Sequence, residues 1–172
     1  MEVRSIEAIV RALNVAEVEY LIVGGLAVNV HGYERLTQDI DLVIRLAPQN
    51  IVRGVRALND IGYCMPIPVT PEQFADSSNR ETWRREKNMT VLRLWSDSHR
   101  RTPVDVFVYE PFNFADEYAA AKWEEISPDL KAPVVRCETL LAMKRVAARP
   151  QDLADISELE QIQNLKESNP RD

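Results

Sequence analysis

Apolar residues near the start of the chain fall at helical spacing. Ile6, Ile9, Val10 and Leu13 share one face, which predicts a helix over 4–15 with Ser5 as its cap and Glu7 early in it. A continuous apolar run from Tyr20 to Val23 reads as a buried strand and stops at the pair Gly24 and Gly25. Leu26, Ala27 and Val30 then line a short helix that Gly32 ends, with His31 either capping it or partly buried, or else free to act in a site. A second apolar run over 39–45 predicts another strand. Pro48 next opens a helix whose positions Ile51, Val55, Leu58 and Ile61 repeat at three and four until Gly62.

Downstream the pattern loosens. Three prolines between 65 and 71 argue against regular structure, and 72–88 is polar and charged, read as partly helical and mobile. Its basic run 83–87, with Trp83, Arg84, Arg85 and Lys87, is either a solvated helix face or a contact for RNA or triphosphate. Alternation over 89–95 and 104–109 predicts two strands forming a hairpin beside the 39–45 strand. Beyond Pro111 the pattern predicts a helix over 116–125, a short strand at Val134 and Val135, a helix over 138–148, a last helix from Pro150 and a frayed end over 165–172. The expected fold class is α/β (α+β), a small mixed sheet flanked by helices. One domain over 1–172 is expected, with a core at 1–110 and a mostly helical extension at 111–172.

With 172 residues and 45% of them hydrophobic, the chain can bury a core of its own. A formal charge of −6 argues against broad adhesion to nucleic acid while leaving room for a local basic groove. The two cysteines, Cys64 and Cys137, show no metal or disulfide spacing and read as buried thiols in a reducing cytoplasm. No apolar segment suits a signal peptide or a membrane span, so a soluble, cytoplasmic protein is expected.

The candidate chemistry lies at the second strand. In Asp39-Ile40-Asp41 the carboxylates stand on one face while Ile40, Leu42 and Ile44 line the other, an arrangement suited to binding a metal. Gly24 and Gly25, between strand and helix, form either an ordinary tight turn or a place where bare backbone N–H groups approach phosphate. Asp105 falls within an apolar strand, on the face opposite Val104 and Val106. It is either an edge acid facing water or a buried acid that needs a cation nearby. Oxygen ligands without a His or Cys set select Mg2+ or Mn2+ over zinc.

The stretch 20–44, with its Gly-Gly, short helix and Asp-x-Asp preceded by Arg35-Leu36-Thr37, resembles the signature of the nucleotidyltransferase superfamily that includes DNA polymerase beta, most closely its AbiEii-type toxin branch. The segment 138–156 strengthens the resemblance with a Glu-x-Leu-x-Ala-x-Lys helix ending on Lys144 and an Arg-x-x-Asp-x-x-Asp element carrying Asp152 and Asp155. Many relatives have serine where this chain has Gly25, which offers a backbone donor but no hydroxyl.

The resemblance implies a nucleotidyltransferase fold with the C-terminal helices closing the site, and a metal-dependent transfer of a nucleotide unit from a nucleoside triphosphate to an acceptor. Asp39, Asp41 and Asp105 would hold the metal, and Gly24, Gly25, Arg35 and Thr37 would meet the nucleotide. Lys144 would reach the triphosphate and Asp152 would steady it, although Lys144 also suits an exposed helix face and Asp152 a favourable helix start. A toxin of this branch would act on tRNA or protein beside an antitoxin partner. Transfer to a small molecule, as in antibiotic-modifying relatives, and a nucleotide-binding regulator without catalysis are the alternatives.

Overall fold

The computed structural model describes residues 1–65 and 68–168. Pro66 and Ile67, in the proline-rich stretch expected to be irregular, and the end of the expected frayed tail, 169–172, lie outside the described residues. Within them the chain forms a mixed six-stranded sheet with eight helices, in the order α1 (Val3–Val15), β1 (Tyr20–Val23), α2 (Gly24–Val30), β2 (Ile40–Ile44), α3 (Pro48–Asp60), α4 (Pro71–Ala75), α5 (Ser77–Lys87), β3 (Val91–Leu94), β4 (Val104–Phe107), α6 (Phe114–Ala120), β5 (Lys122–Ser127), β6 (Leu130–Val134), α7 (Cys137–Ala147) and α8 (Pro150–Ser168).

The strands lie in the order β3-β4-β2-β1-β6-β5. β1 and β2 run antiparallel, and β4 joins β2 in parallel with Ile40 opposite Val104 and Asp41 opposite Asp105. The two faces of β2 separate by the period of the strand. Gly54 of α3 sits against Ile44, so Ile40, Leu42 and Ile44 face the layer made by α1 and α3, which pack on each other. Asp41 therefore faces the opposite side, where α2 leads from Gly24 and α7 packs against α2.

Three local expectations change. Ser5 does not cap α1: Glu2 holds the N-cap position, and the buried Ser5 hydroxyl is hydrogen-bonded to His99 Nδ1 at 2.9 Å. The segment 72–88, expected to be only partly helical, is helical over nearly its whole length, in two short helices. Thr70 and Gln73 form a reciprocal capping box on α4, and the Asp76 carboxylate accepts from the backbone N–H groups of Ser78 and Asn79 to start α5. Arg80, although charged, is buried because its Nη1 donates to the Phe74 and Ala75 carbonyls at the end of α4, at 2.7 and 2.8 Å. Cys64 is exposed and Cys137 only partly covered, so neither is a buried thiol.

The largest departure lies between 114 and 134. The helix stops at Ala120, and 122–127 is a strand, β5, paired antiparallel with β6. β6 begins at Leu130 rather than at Val134 and inserts between β5 and β1, its Val134 opposite Ile22 and the Val135 N–H donating to the Ile22 carbonyl at 3.0 Å. β5 is the edge of the sheet. Its exposed and half-buried residues, with an acid on each face in Glu124 and Glu125, suit a strand that must not recruit another.

Candidate functional site

β1 ends where α2 begins, and that join needs glycine. Gly24 has φ +64°, and a Cβ placed there would overlap the Asp41 carboxylate, so Asp41 lies directly on the strand-to-helix turn. A Cβ on Gly25 would meet the Thr37 side chain, with Arg35 Nη2 at 3.2 Å. The room that a serine would need is already filled by Thr37 and Arg35, which gives a steric reason for glycine at this position. Asn29, on α2, fixes the loop that carries them: its Nδ2 donates to the Arg35 carbonyl at 2.9 Å and its Oδ1 accepts from the Arg35 N–H at 3.2 Å.

The three acids come together. Asp41 and Asp105 are neighbours across the parallel pair β2/β4, and Arg93 of β3 stands opposite Asp105 on its other side. Arg93 grips Asp105 with a parallel fork, Nε to Oδ1 and Nη2 to Oδ2, both at 2.7 Å. The same Nη2 donates to Asp39 Oδ2 at 2.9 Å, so one nitrogen bridges the Asp39 and Asp105 carboxylates. Among the described residues no cation grips Asp41 in this way. Burial first, and then the facing charges of Asp39 and Asp105, push its carboxyl up to about 7, while the Gly25 backbone N–H and the Lys144 charge draw it down.

Lys144 belongs to a second cluster that closes the same side. Its ammonium donates to Asp155 Oδ2 at 2.6 Å and to Asp152 Oδ1 at 3.1 Å, and its side chain is only 6% exposed. Asp155, fully buried, also takes a fork from Arg35, Nε to Oδ1 at 2.7 Å and Nη2 to Oδ2 at 2.9 Å, and a bond from Gln151 at 3.1 Å. Burial works to raise the Asp155 carboxyl, but these hydrogen bonds from Arg35, Lys144 and Gln151 hold it below its ordinary value. Through Asp155, the loop before β2 is tied to α7 and α8.

Gly24, Gly25, Arg35, Thr37, Asp39, Asp41, Asp105, Lys144 and Asp152 thus lie in one connected region. His31 is engaged elsewhere, as the C-cap of α2 donating from Nε2 to the Val135 carbonyl at 2.8 Å. So is the basic run 83–87, where Trp83 stacks on Phe74, the Arg84 guanidinium lies 4.1 Å over the Tyr109 ring and Arg85 pairs with Glu86. Two residues of the region had no role in the sequence reading. For Arg93 there was a signal, since an acid at Asp105 in an apolar strand called for a cation. Asp155 stood in the quoted motif, but its partner Arg35 is 120 positions away.

Among the described residues, no group of three or more His, Cys, Asp or Glu side chains is gathered so as to hold a metal ion as it stands. The donor chemistry nevertheless fits a hard divalent cation. Three carboxylates face one another, a single guanidinium answers two of them, and Asp41 is left with an excess of negative charge around it.

No protein-family model matches the chain, and no curated protein matches it by sequence. In three dimensions it is similar to the lincosamide antibiotic adenylyltransferase LnuA in its lincomycin-bound crystal structure, with a TM-score of 0.51 over 85% of this chain and 88% of that one, at 17% identity. The chain has a nucleotidyltransferase fold. In this chain the region described above lies on one side of the sheet, between the Gly24 turn and α7 and α8. Among the described residues no helix is long and apolar enough to cross a membrane.

Proposed function

We propose that the chain is a metal-dependent nucleotidyltransferase, moving a nucleoside monophosphate from a nucleoside triphosphate to the hydroxyl of an acceptor. The observation that carries this reading is the cross-strand row in which Asp105 and Asp41 stand side by side and Asp41 lies on the Gly24 turn. Asp39, Asp41 and Asp105 would hold Mg2+ or Mn2+, which when bound makes the acceptor hydroxyl more acidic and offsets charge on the leaving pyrophosphate. The chain's own residues supply the positioning. Gly24 and Gly25 let backbone approach the phosphates without a side chain between, and Arg35 and Thr37 form the wall beside Gly25. Lys144 contributes a compact positive charge whose place is set by Asp152 and Asp155. Asp105, oriented by the Arg93 fork, is suited to receive the proton of the acceptor hydroxyl.

The motif resemblance favours a toxin of the AbiEii type, acting in the cytoplasm on tRNA or protein and held in check by an antitoxin. The likeness to LnuA favours a small molecule of the antibiotic class as acceptor, and the formal charge of −6 also suits a small acceptor better than a nucleic acid. One experiment addresses both. The protein is incubated with each α-labelled nucleoside triphosphate and Mg2+, in one arm with cell extract and total tRNA and in the other with hydroxylated antibiotics including lincosamides. Label on RNA or protein supports the toxin reading, and label on an antibiotic supports the second. Nucleotide binding without transfer in either arm identifies a regulator, and failure to bind any triphosphate overturns the proposal.

A further inference from the structure

Arg93 stands at one end of the cross-strand row and bridges the carboxylates of Asp39 and Asp105. It is carried by β3, the strand at the edge of the sheet, and the β3/β4 register sets it opposite Asp105, as the β2/β4 register sets Asp41 opposite Asp105. Its two grips differ in kind. Asp105 is nearly buried, 8% exposed, and both its oxygens are held by the fork, which fixes the plane of the carboxylate. Asp39 is more open and is held by one bond only, from the outer nitrogen that already serves Asp105. Three carboxylates against one guanidinium leave a net negative charge matching that of a single divalent cation.

We propose that Arg93 is a built-in counter-ion of this acidic row: it positions Asp105 permanently and holds Asp39 only until a divalent cation takes its place. The inference rests on the nucleotidyltransferase reading of the site. The single bond to Asp39 is the one exchanged, because the forked pair with Asp105 has two bonds to lose and is better shielded from water. The guanidinium and the incoming cation therefore compete for Asp39. At the same time the guanidinium keeps Asp39 and Asp105 together when no metal is bound, and fixes the plane of the Asp105 carboxylate. A residue with both duties has a signature that ordinary structural support does not share: its loss strengthens metal binding while slowing the reaction.

The test uses the full chain and Mn2+ alone, titrated by electron paramagnetic resonance without nucleotide, on the natural protein, Arg93→Gln and Arg93→Lys. Arg93→Gln removes the competing charge and should tighten Mn2+ binding on the order of 10-fold, while nucleotidyl transfer at saturating metal falls on the order of 10-fold or more because Asp105 is no longer held. Arg93→Lys keeps the charge but cannot form the fork, so Mn2+ affinity should stay within about 3-fold of the natural protein while transfer still falls. Melting curves in EDTA and in saturating Mn2+ add a readout that needs no activity. The loss of Tm in Arg93→Gln should be large without metal and small with it, because the cation replaces the missing charge. Weaker or unchanged Mn2+ binding in Arg93→Gln, in a protein whose natural form binds Mn2+, overturns the proposal and leaves the reading of the site intact. A natural protein that binds no Mn2+ overturns both.

Discussion

Gly24 and Asp41 restrict each other. Gly24 adopts φ +64° and a Cβ there would fall on the Asp41 carboxylate, so Gly24→Ala brings both a left-handed backbone penalty and an overlap. Loss of about 2 to 4 kcal/mol of stability is expected, measured by urea denaturation. Asp41 itself is under electrostatic stress in the metal-free protein. Its folded-state carboxyl is raised from 3.8 to about 7, so between those values the folded chain keeps a proton that the unfolded chain has released. Metal-free stability therefore falls as pH rises from about 4 to about 7 and is flat on this account above that. Asp41→Asn removes the slope. In EDTA it should match the natural protein below pH 4 and exceed it at pH 8, by on the order of 4 kcal/mol, and denaturation at the two pH values checks the sign.

At the level of elements, the buried Asp155 carboxylate connects the loop before β2, the end of α7 and the start of α8 through Arg35, Lys144 and Gln151. Asp155→Ala leaves the Arg35 guanidinium without its forked acceptor and Lys144 with Asp152 alone. A cost of about 3 to 5 kcal/mol is expected from breaking a buried ion pair on one side, with α8 the first element to lose protection in hydrogen exchange. Lys144→Ala is the milder change, since Asp155 keeps Arg35. On the proposed reading its main effect is on nucleotide: titration calorimetry with Mg2+ and a non-hydrolysable triphosphate should show binding weakened roughly 10- to 150-fold, with Lys144→Arg restoring only part. Unchanged affinity would remove Lys144 from the site and leave it a structural partner of Asp152 and Asp155.

For the whole molecule, β6 lying beside β1 leads to the expectation that the first 110 residues do not fold as a unit of their own. The strand that ends on Gly24 has β2 on one side and β6 on the other, and Ala132, Val134, Val135, Leu140, Leu141 and Leu159 all contribute to the same core. A fragment of residues 1–110 would expose the edge of β1 together with that apolar surface. It should lack a cooperative thermal transition and be cut rapidly by protease under conditions where the full chain resists. A stable, protease-resistant fragment would show that the sheet closes without its last two strands.

Patterns confined to a few neighbouring residues were legible in the sequence. The apolar run at Tyr20, the glycine pair, the strand carrying Asp41 and the Pro48 helix are each set by backbone sterics and by which face must leave water, and each is present where the pattern places it, with Asp39 just ahead of the strand rather than in it. The same logic brought Asp105 into a strand beside them. Where one face stays wet, the pattern fades. β5 lies at the sheet edge with acids along it, and Pro128 and Pro133 suggest breaks, so its pattern is indistinguishable from the tail of a helix. α5 carries little apolar surface and owes its order to the Asp76 cap and to the two carbonyls that Arg80 satisfies. The charge pairings were out of reach for a further reason. Arg93 meets Asp105 only through the register of two strands, and Arg35 meets Asp155 across 120 positions of the chain. Burial makes such pairs obligatory, because a lone charge in the interior is costly, but it does not say which opposite charge will arrive. That choice belongs to the folded sheet and to the helices packed against it.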